Sequence, residues 1–198
     1  MSFLDWGVAS RALGPGESGD RHLVAFTPRG ALIAAMDGLG HGPEAAFAAD
    51  VASRVLERHA AEALGPLLAR CHAELKHTRG VAMTLAAITW PEGRLTWIGV
   101  GNVEGRLLRS PASPEPGVES TLLLGGVIGF RLPEVRPRTL QLTPGDVLIL
   151  ATDGIAAGFA DHLIVEGRPQ EIADRILRLH RRQDDALALV VRYGAAGP

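Results

Sequence analysis

The sequence predicts an α+β fold dominated by antiparallel sheet. Three observations carry this reading. Apolar runs with strand character come in adjacent groups, short turns containing Pro or Gly join them, and helical periodicity interrupts them in only two places. A chain of βαβ units would instead alternate strand and helix throughout.

Taken in order, residues 4–10, with Trp6 and Val8, read as a first strand. Gly14-Pro15-Gly16-Glu17-Ser18-Gly19 reads as a loop that ends at Asp20. Residues 22–27 and 31–36 follow as a hairpin turned by Pro28-Arg29-Gly30. From Pro43 the period becomes helical: Phe47, Val51 and Val55, with Ala48, Ala52 and Leu56, define one apolar face. Pro43 and Glu44 suit a helix start, where a missing N–H costs nothing and a negative charge is favoured. Gly65-Pro66 is expected to break the run before a second helix with Leu67, Leu68, Cys71 and Leu75 inward, ending near Arg79-Gly80.

Strands are then expected over residues 81–90, 95–99 and 105–109, with an exposed proline-rich loop over 110–117. Further strands are expected over 121–124, 134–142 and 146–152. A helix over Pro169–His180 turns Ile172, Ala173, Ile176 and Leu177 inward, and a last strand runs from Ala186 to Tyr193. No repeat of solenoid length is present, and residues 1–198 read as one domain.

Composition narrows the function. With 46% hydrophobic and 21% charged residues the chain is expected to fold. A net charge of −2 argues against holding nucleic acid or an anionic membrane as the main task. The single cysteine, Cys71, excludes an internal disulfide and a cysteine-based zinc site. The amino terminus lacks the pattern of a signal peptide and no apolar run approaches the ~20 residues of a membrane span, so a soluble, cytoplasmic protein is expected.

Two apolar runs end alike. Ala31-Leu-Ile-Ala-Ala-Met stops at Asp37-Gly38-Leu39-Gly40-His41-Gly42, and Val147-Leu-Ile-Leu-Ala-Thr stops at Asp153-Gly154. With Asp20 and Asp184, four aspartates stand at junctions between a loop and an apolar run. Clustered carboxylates repel one another unless a cation joins them, and an all-oxygen ligand set selects hard ions such as Mg²⁺ or Mn²⁺. Two such ions activate water and clamp a phosphoryl group. The alternative is that each aspartate caps a turn, since Asp-Gly is common turn chemistry. Cys71 lies on an apolar helix face and reads as core. No Gly-x-Ser-x-Gly elbow is present. Gly38 to Gly42 lacks the Lys-Ser/Thr of a phosphate-binding P-loop. His41 reads equally as a proton donor or as a residue that ties the loop together.

Asp37-Gly38-Leu39-Gly40-His41-Gly42, Ala151-Thr152-Asp153-Gly154-Ile155 and Asp184-Asp185-Ala186 stand in the order found in PPM-type serine/threonine phosphatases. Ser18-Gly19-Asp20, Gly99-Val-Gly-Asn102, Gly125-Gly-Val-Ile-Gly129 and Leu142-Thr-Pro-Gly-Asp146 support the match over nearly the whole chain. The sequence most resembles the bacterial SpoIIE-like branch and, within it, the short single-domain stressosome phosphatases.

That resemblance implies an α-β-β-α sandwich, two mainly antiparallel sheets flanked by helices, with two Mn²⁺ or Mg²⁺ ions at a sheet edge. It implies that Asp37 bridges both metals, that the Gly38 carbonyl binds one, that Asp153 and Asp184 complete the shell of the first metal, and that Asp20 serves the second metal, directly or through water. His41 and Asp185 would stand behind these ligands, and Arg11 or Arg21 would contact phosphate. The reaction implied is hydrolysis of phosphoserine or phosphothreonine by metal-bound hydroxide, as negative feedback in stress signalling. Its substrate would be a stressosome scaffold or anti-sigma antagonist protein, with neither nucleic acid nor membrane as partner. The histidine that follows Asp-Gly directly in many eukaryotic members is Leu39 here, so no general-acid role transfers to His41. Two other readings use the same residues: a non-catalytic partner-binding module, and a small-molecule phosphohydrolase.

Overall fold

The structure, a computed structural model, describes residues 4–115, 117–161 and 163–194. In chain order the elements are β1 (Leu4–Arg11), β2 (Asp20–Thr27), β3 (Gly30–Gly38), α1 (Pro43–Arg58), α2 (Leu64–Glu74), β4 (Val81–Thr89) and β5 (Arg94–Val100). They continue with β6 (Glu104–Leu108), β7 (Val118–Ser120), β8 (Leu123–Leu124), β9 (Arg138–Gln141), β10 (Val147–Ala151), α3 (Pro169–His180) and β11 (Ala186–Tyr193). One sheet has the order β1-β11-β10-β6-β7 and the other β2-β3-β4-β5-β8, with β9 beside β5. Pairing is antiparallel except between β5 and β8.

Side-chain alternation divides each central strand between two layers. On β3, Ala31, Ile33 and Ala35 face the space between the sheets, where they meet Leu148 and Leu150 of β10 and Leu187, Leu189 and Val191 of β11. Leu32, Ala34 and Met36 point the other way, under α1 and α2. On the sheet that holds β10 and β11, Ile149 and Val190 face outward and α3 covers them with Ile172, Ala173 and Ile176. The layers are therefore helix, sheet, sheet, helix. This is the α+β sandwich expected from the sequence. Among the described residues no helix is long and apolar enough to cross a membrane.

Four local readings are corrected. The buried stripe of α1 is Ala45, Ala48, Ala49, Ala52 and Leu56, while Phe47 is 55% exposed. Alanines let the helix backbone come close to β3, and the larger Phe47 is turned to the outer side. Gly65 and Pro66 lie within the first turn of α2, which starts at Leu64 and ends at Glu74. Proline is tolerated there because the first N–H groups of a helix have no internal acceptor. The strand expected over 134–142 shrinks to Arg138–Gln141, because Pro133 and Pro137 supply no ladder donor. That expected over 121–124 is cut to Leu123–Leu124, preceded by the separate β7.

Candidate active site

The site begins where the inter-sheet rows run out of apolar residues. Asp37 continues the row Ala31, Ile33, Ala35, and Asp20 continues the row of Val24 on β2. Thr152 follows Leu148 and Leu150, and Asp185 precedes Leu187 and Leu189. Polar groups from four neighbouring strands thus meet at one rim of the inter-sheet layer.

Asp20 and Asp37 are direct cross-strand partners. The Gly38 N–H donates to the Gly19 carbonyl at 3.1 Å, so this is a non-hydrogen-bonded pair, in which opposed side chains stand closest. Two carboxylates so placed repel. Burial, with Asp37, Asp185 and Asp153 nearby, pushes the Asp20 carboxyl up to about 8, against the pull of its hydrogen bond from Thr152. Burial, then Asp153, Asp184 and Asp185, push Asp37 to about 7. Asp153 is raised by burial and by Asp184, with Asn102 and Arg182 pulling it back.

Each carboxylate is turned to the nearest donor. The Thr152 hydroxyl donates to Asp20 Oδ2 at 2.7 Å and joins the two sheets. Asn102 Nδ2 donates to Asp153 Oδ2 at 2.7 Å. Asp185 accepts from the backbone N–H of Leu13 at 2.7 Å and of Gly19 at 2.6 Å. Asp184 is exposed and accepts the Asp185 N–H at 2.8 Å. Among the described residues, no three acidic, histidine or cysteine side chains already converge on one point. Mutual repulsion together with these local donors accounts for that spread.

Asp146 shows what a carboxylate with a built-in partner looks like. It is buried and pairs with Arg109 at 3.0 Å, and it accepts the N–H groups of Ser110 at 2.7 Å and Thr143 at 3.0 Å. Asp20, Asp37, Asp153, Asp184 and Asp185 have no such ion pair among the described residues. Oxygen donors with excess negative charge and no cation of their own fit a hard divalent ion.

Glycines keep the rim tight. A Cβ on Gly38 would lie 2.0 Å from the Ala45 carbonyl oxygen, so the start of α1 sits directly on the end of β3. A Cβ on Gly154 would lie 1.9 Å from the Asp185 carbonyl oxygen. Gly154→Ala is therefore expected to push the 153 and 184–185 segments apart. The expected cost is about 3 kcal/mol, seen as a melting temperature lower by about 10 °C, with weaker Mg²⁺ binding by calorimetry. A melting temperature within 2 °C of wild type would refute this contact.

The arginines fall elsewhere. Arg21 follows Asp20 on the same strand and so points to the opposite face, where its Nε pairs with Asp50 at 2.6 Å and its Nη1 donates to the Ser18 carbonyl at 2.6 Å. It does not face the carboxylates, which corrects its reading as a phosphate contact. Arg11, at the end of β1, lines a cleft beside α3. His41 is exposed on the Gly40–Gly42 loop, with no hydrogen bond or ion pair among the described residues. Thr152, Asn102 and Arg182 were not predicted as site residues. Thr152 and Asn102 stand inside motifs quoted from the sequence, but the contacts that matter span 132 and 51 residues.

A family model described as stage II sporulation protein E (SpoIIE) matches residues 27–194. The chain belongs to the SpoIIE family. It is a PPM-type phosphatase of the phosphoprotein class, as the resemblance implied. The phosphoserine phosphatase RsbX of Bacillus subtilis (strain 168) is 25% identical over 171 residues, covering 84% of this chain and 83% of RsbX. A structure solved in work on the bacterial stressosome, as a system adapted to control secondary messenger signalling, superposes with TM-score 0.85 at 28% identity over 95% of this chain and 98% of that one. RsbX in complex with magnesium shares the fold with TM-score 0.83 at 22% identity, covering 96% of this chain and 94% of that one. The PP2C phosphatase domain of Bacillus subtilis SpoIIE does so with TM-score 0.78 at 22% identity, over 98% of this chain and 64% of that one.

Proposed function

We propose that residues 1–198 form one Mg²⁺- or Mn²⁺-dependent serine/threonine phosphatase domain that dephosphorylates a stressosome scaffold or an anti-sigma antagonist, as negative feedback on the stress signal. The reading rests on one observation above all: Asp20 and Asp37 oppose each other across β2 and β3, with Asp153, Asp184 and Asp185 at the same rim and, among the described residues, no ion pair to any of the five. The likeness to RsbX, a phosphoserine phosphatase, and to a structure solved in work on the bacterial stressosome supports this choice of substrate class.

In this reading Asp37, the Gly38 carbonyl, Asp153, Asp184 and Asp20 hold two divalent ions. When bound, such ions supply an activated water and neutralise charge on the phosphoryl group. The residues around them position the site. Thr152 fixes the rotamer of Asp20, and Asn102 fixes that of Asp153. The Leu13 and Gly19 N–H groups hold Asp185 behind the rim. Gly38 and Gly154 keep β3, α1 and the 184–185 segment in contact so that the oxygens stay close.

The deciding experiment is phosphate release from a phosphoserine-bearing scaffold protein with Mn²⁺, with Mg²⁺ and with a chelator, beside free nucleotides. Release only with metal, and from the phosphoprotein in preference to nucleotides, is expected. Release from nucleotides alone would replace this reading with a small-molecule phosphohydrolase. Metal binding without any release would point to a partner-binding module.

A further inference from the structure

A second charged feature lies at the same end of the molecule, on the α3 side of β1. Arg11, Arg178, Arg181 and Arg182 line one cleft together with Leu13 and Asp174. None of the four guanidinium groups has an ion pair among the described residues. The one acidic group lining the cleft, Asp174, accepts from Gln170 Nε2 at 3.1 Å and keeps its charge, so the cleft holds four guanidinium groups against one carboxylate. Arg181 Nε is buried without an acceptor. The carbonyl end of α3 offsets part of this charge, but the chain as a whole carries a net −2, so the concentration is local. Four guanidinium groups against the single carboxylate of Asp174, with Arg182 also drawn toward Asp153, leave the cleft with an excess of positive charge that suits an anion.

The cleft is joined to the carboxylate rim by backbone. Leu13 lines the cleft and donates its N–H to Asp185. The Arg182 N–H donates to the Gly154 carbonyl at 2.8 Å, while its Nη1 lies 3.5 Å from the Asp153 carbonyl. The cleft therefore lies within reach of residues that neighbour a phosphorylated residue held over the rim. We propose that this cleft binds acidic residues flanking the phosphorylated serine or threonine of the substrate, and so determines which phosphoprotein is chosen. The proposal rests on the phosphatase reading above. It differs from that reading in resting on α3 and the residues after it, not on the carboxylates. Arginine suits the task because its planar fork pairs with carboxylates in two contacts.

The test pairs binding with turnover. A fluorescent peptide rich in Asp and Glu, without phosphate, is titrated with wild type, Arg178→Gln and Arg178→Glu. Arg178 is exposed on α3, so the substitutions leave the core untouched. Kd is expected to rise about tenfold in Arg178→Glu and less in Arg178→Gln, and to weaken steeply with salt. In parallel, kcat/KM is measured for two phosphoserine peptides that differ only in acidic or neutral flanks. Wild type should favour the acidic one by about tenfold, and Arg178→Glu should erase the preference through KM. Equal peptide binding by all three proteins, a wild-type ratio near one, or tighter binding of an RNA of equal charge would each overturn the proposal. Arg178-dependent peptide binding with no turnover of either phosphopeptide would support the cleft and overturn the phosphatase reading.

Discussion

Asp37→Asn is expected to lower phosphopeptide turnover by about 10³-fold or more and, in metal-free protein above pH 8, to raise the melting temperature. The two effects have one cause. Asp37 faces Asp20 across a close strand pair and shares the rim with Asp153, Asp184 and Asp185, so its charge is unfavourable until a cation arrives. Asparagine keeps the shape and removes the charge. Turnover would fall because Asp37 is one of the carboxylates that would hold the proposed ions, and those ions would supply charge stabilisation at the phosphoryl group.

The sign of the stability effect follows from linkage. The folded chain holds the Asp37 proton up to about pH 7, well above the ordinary value of 3.8. Stability from that proton is full below the unfolded value and is lost as pH rises through about 7. The gain from Asp37→Asn should thus be near zero at pH 3, grow between about pH 4 and 7, and reach about 5–10 °C at pH 9. A structural aspartate behaves in the opposite way: removing it from an arrangement like Asp146 with Arg109 would leave the buried guanidinium without its partner and destabilise the fold. A lower melting temperature for Asp37→Asn at pH 9, or turnover within tenfold of wild type, would sink the assignment.

How far the sequence carried the fold depended on whether the controlling contact was local. The helix over Pro169–His180 and the strand over Ala186–Tyr193 are legible because period and boundary residues agree within the segment itself. The side of α1 that is buried is not, since Phe47 is the most apolar residue near its start and yet points outward. The close approach of α1 to Gly38 selects alanine there, and that approach is a tertiary fact. Asp37 and Asp153 are legible because each ends an apolar run at a glycine. The hydrogen bond from Thr152 to Asp20 is not, because it joins two sheets. Arg21 is a different kind of miss. Its place next to Asp20 on a strand already requires the two to face opposite sides, so the signal that excludes it from the rim was present in the sequence.

Metal binding and proton release should be coupled at this rim, and strongly. Without a cation, Asp20 holds its proton up to about pH 8 and Asp37 up to about pH 7. Ligation requires both carboxylates to be ionised. Below pH 7 each binding event must displace nearly two protons, and between 7 and 8 about one. The apparent Mg²⁺ or Mn²⁺ affinity should therefore fall by about 10²–10³-fold from pH 8 to pH 6. Calorimetry in buffers of different ionisation enthalpy reads the proton number directly. The same linkage governs stability. Metal-free protein loses stability as pH rises through about 7 and 8, because both raised carboxyls give up protons that the fold retains. Metal at 100 times its Kd adds about 2.7 kcal/mol, which a chelator removes. At pH 8.5 the chelated protein should melt about 5–10 °C below the Mg²⁺-loaded protein, and at pH 5.5 the gap should close. A gap that is equal at both pH values, or metal binding with no proton release at pH 6, would mean that the ions sit on groups other than Asp20 and Asp37.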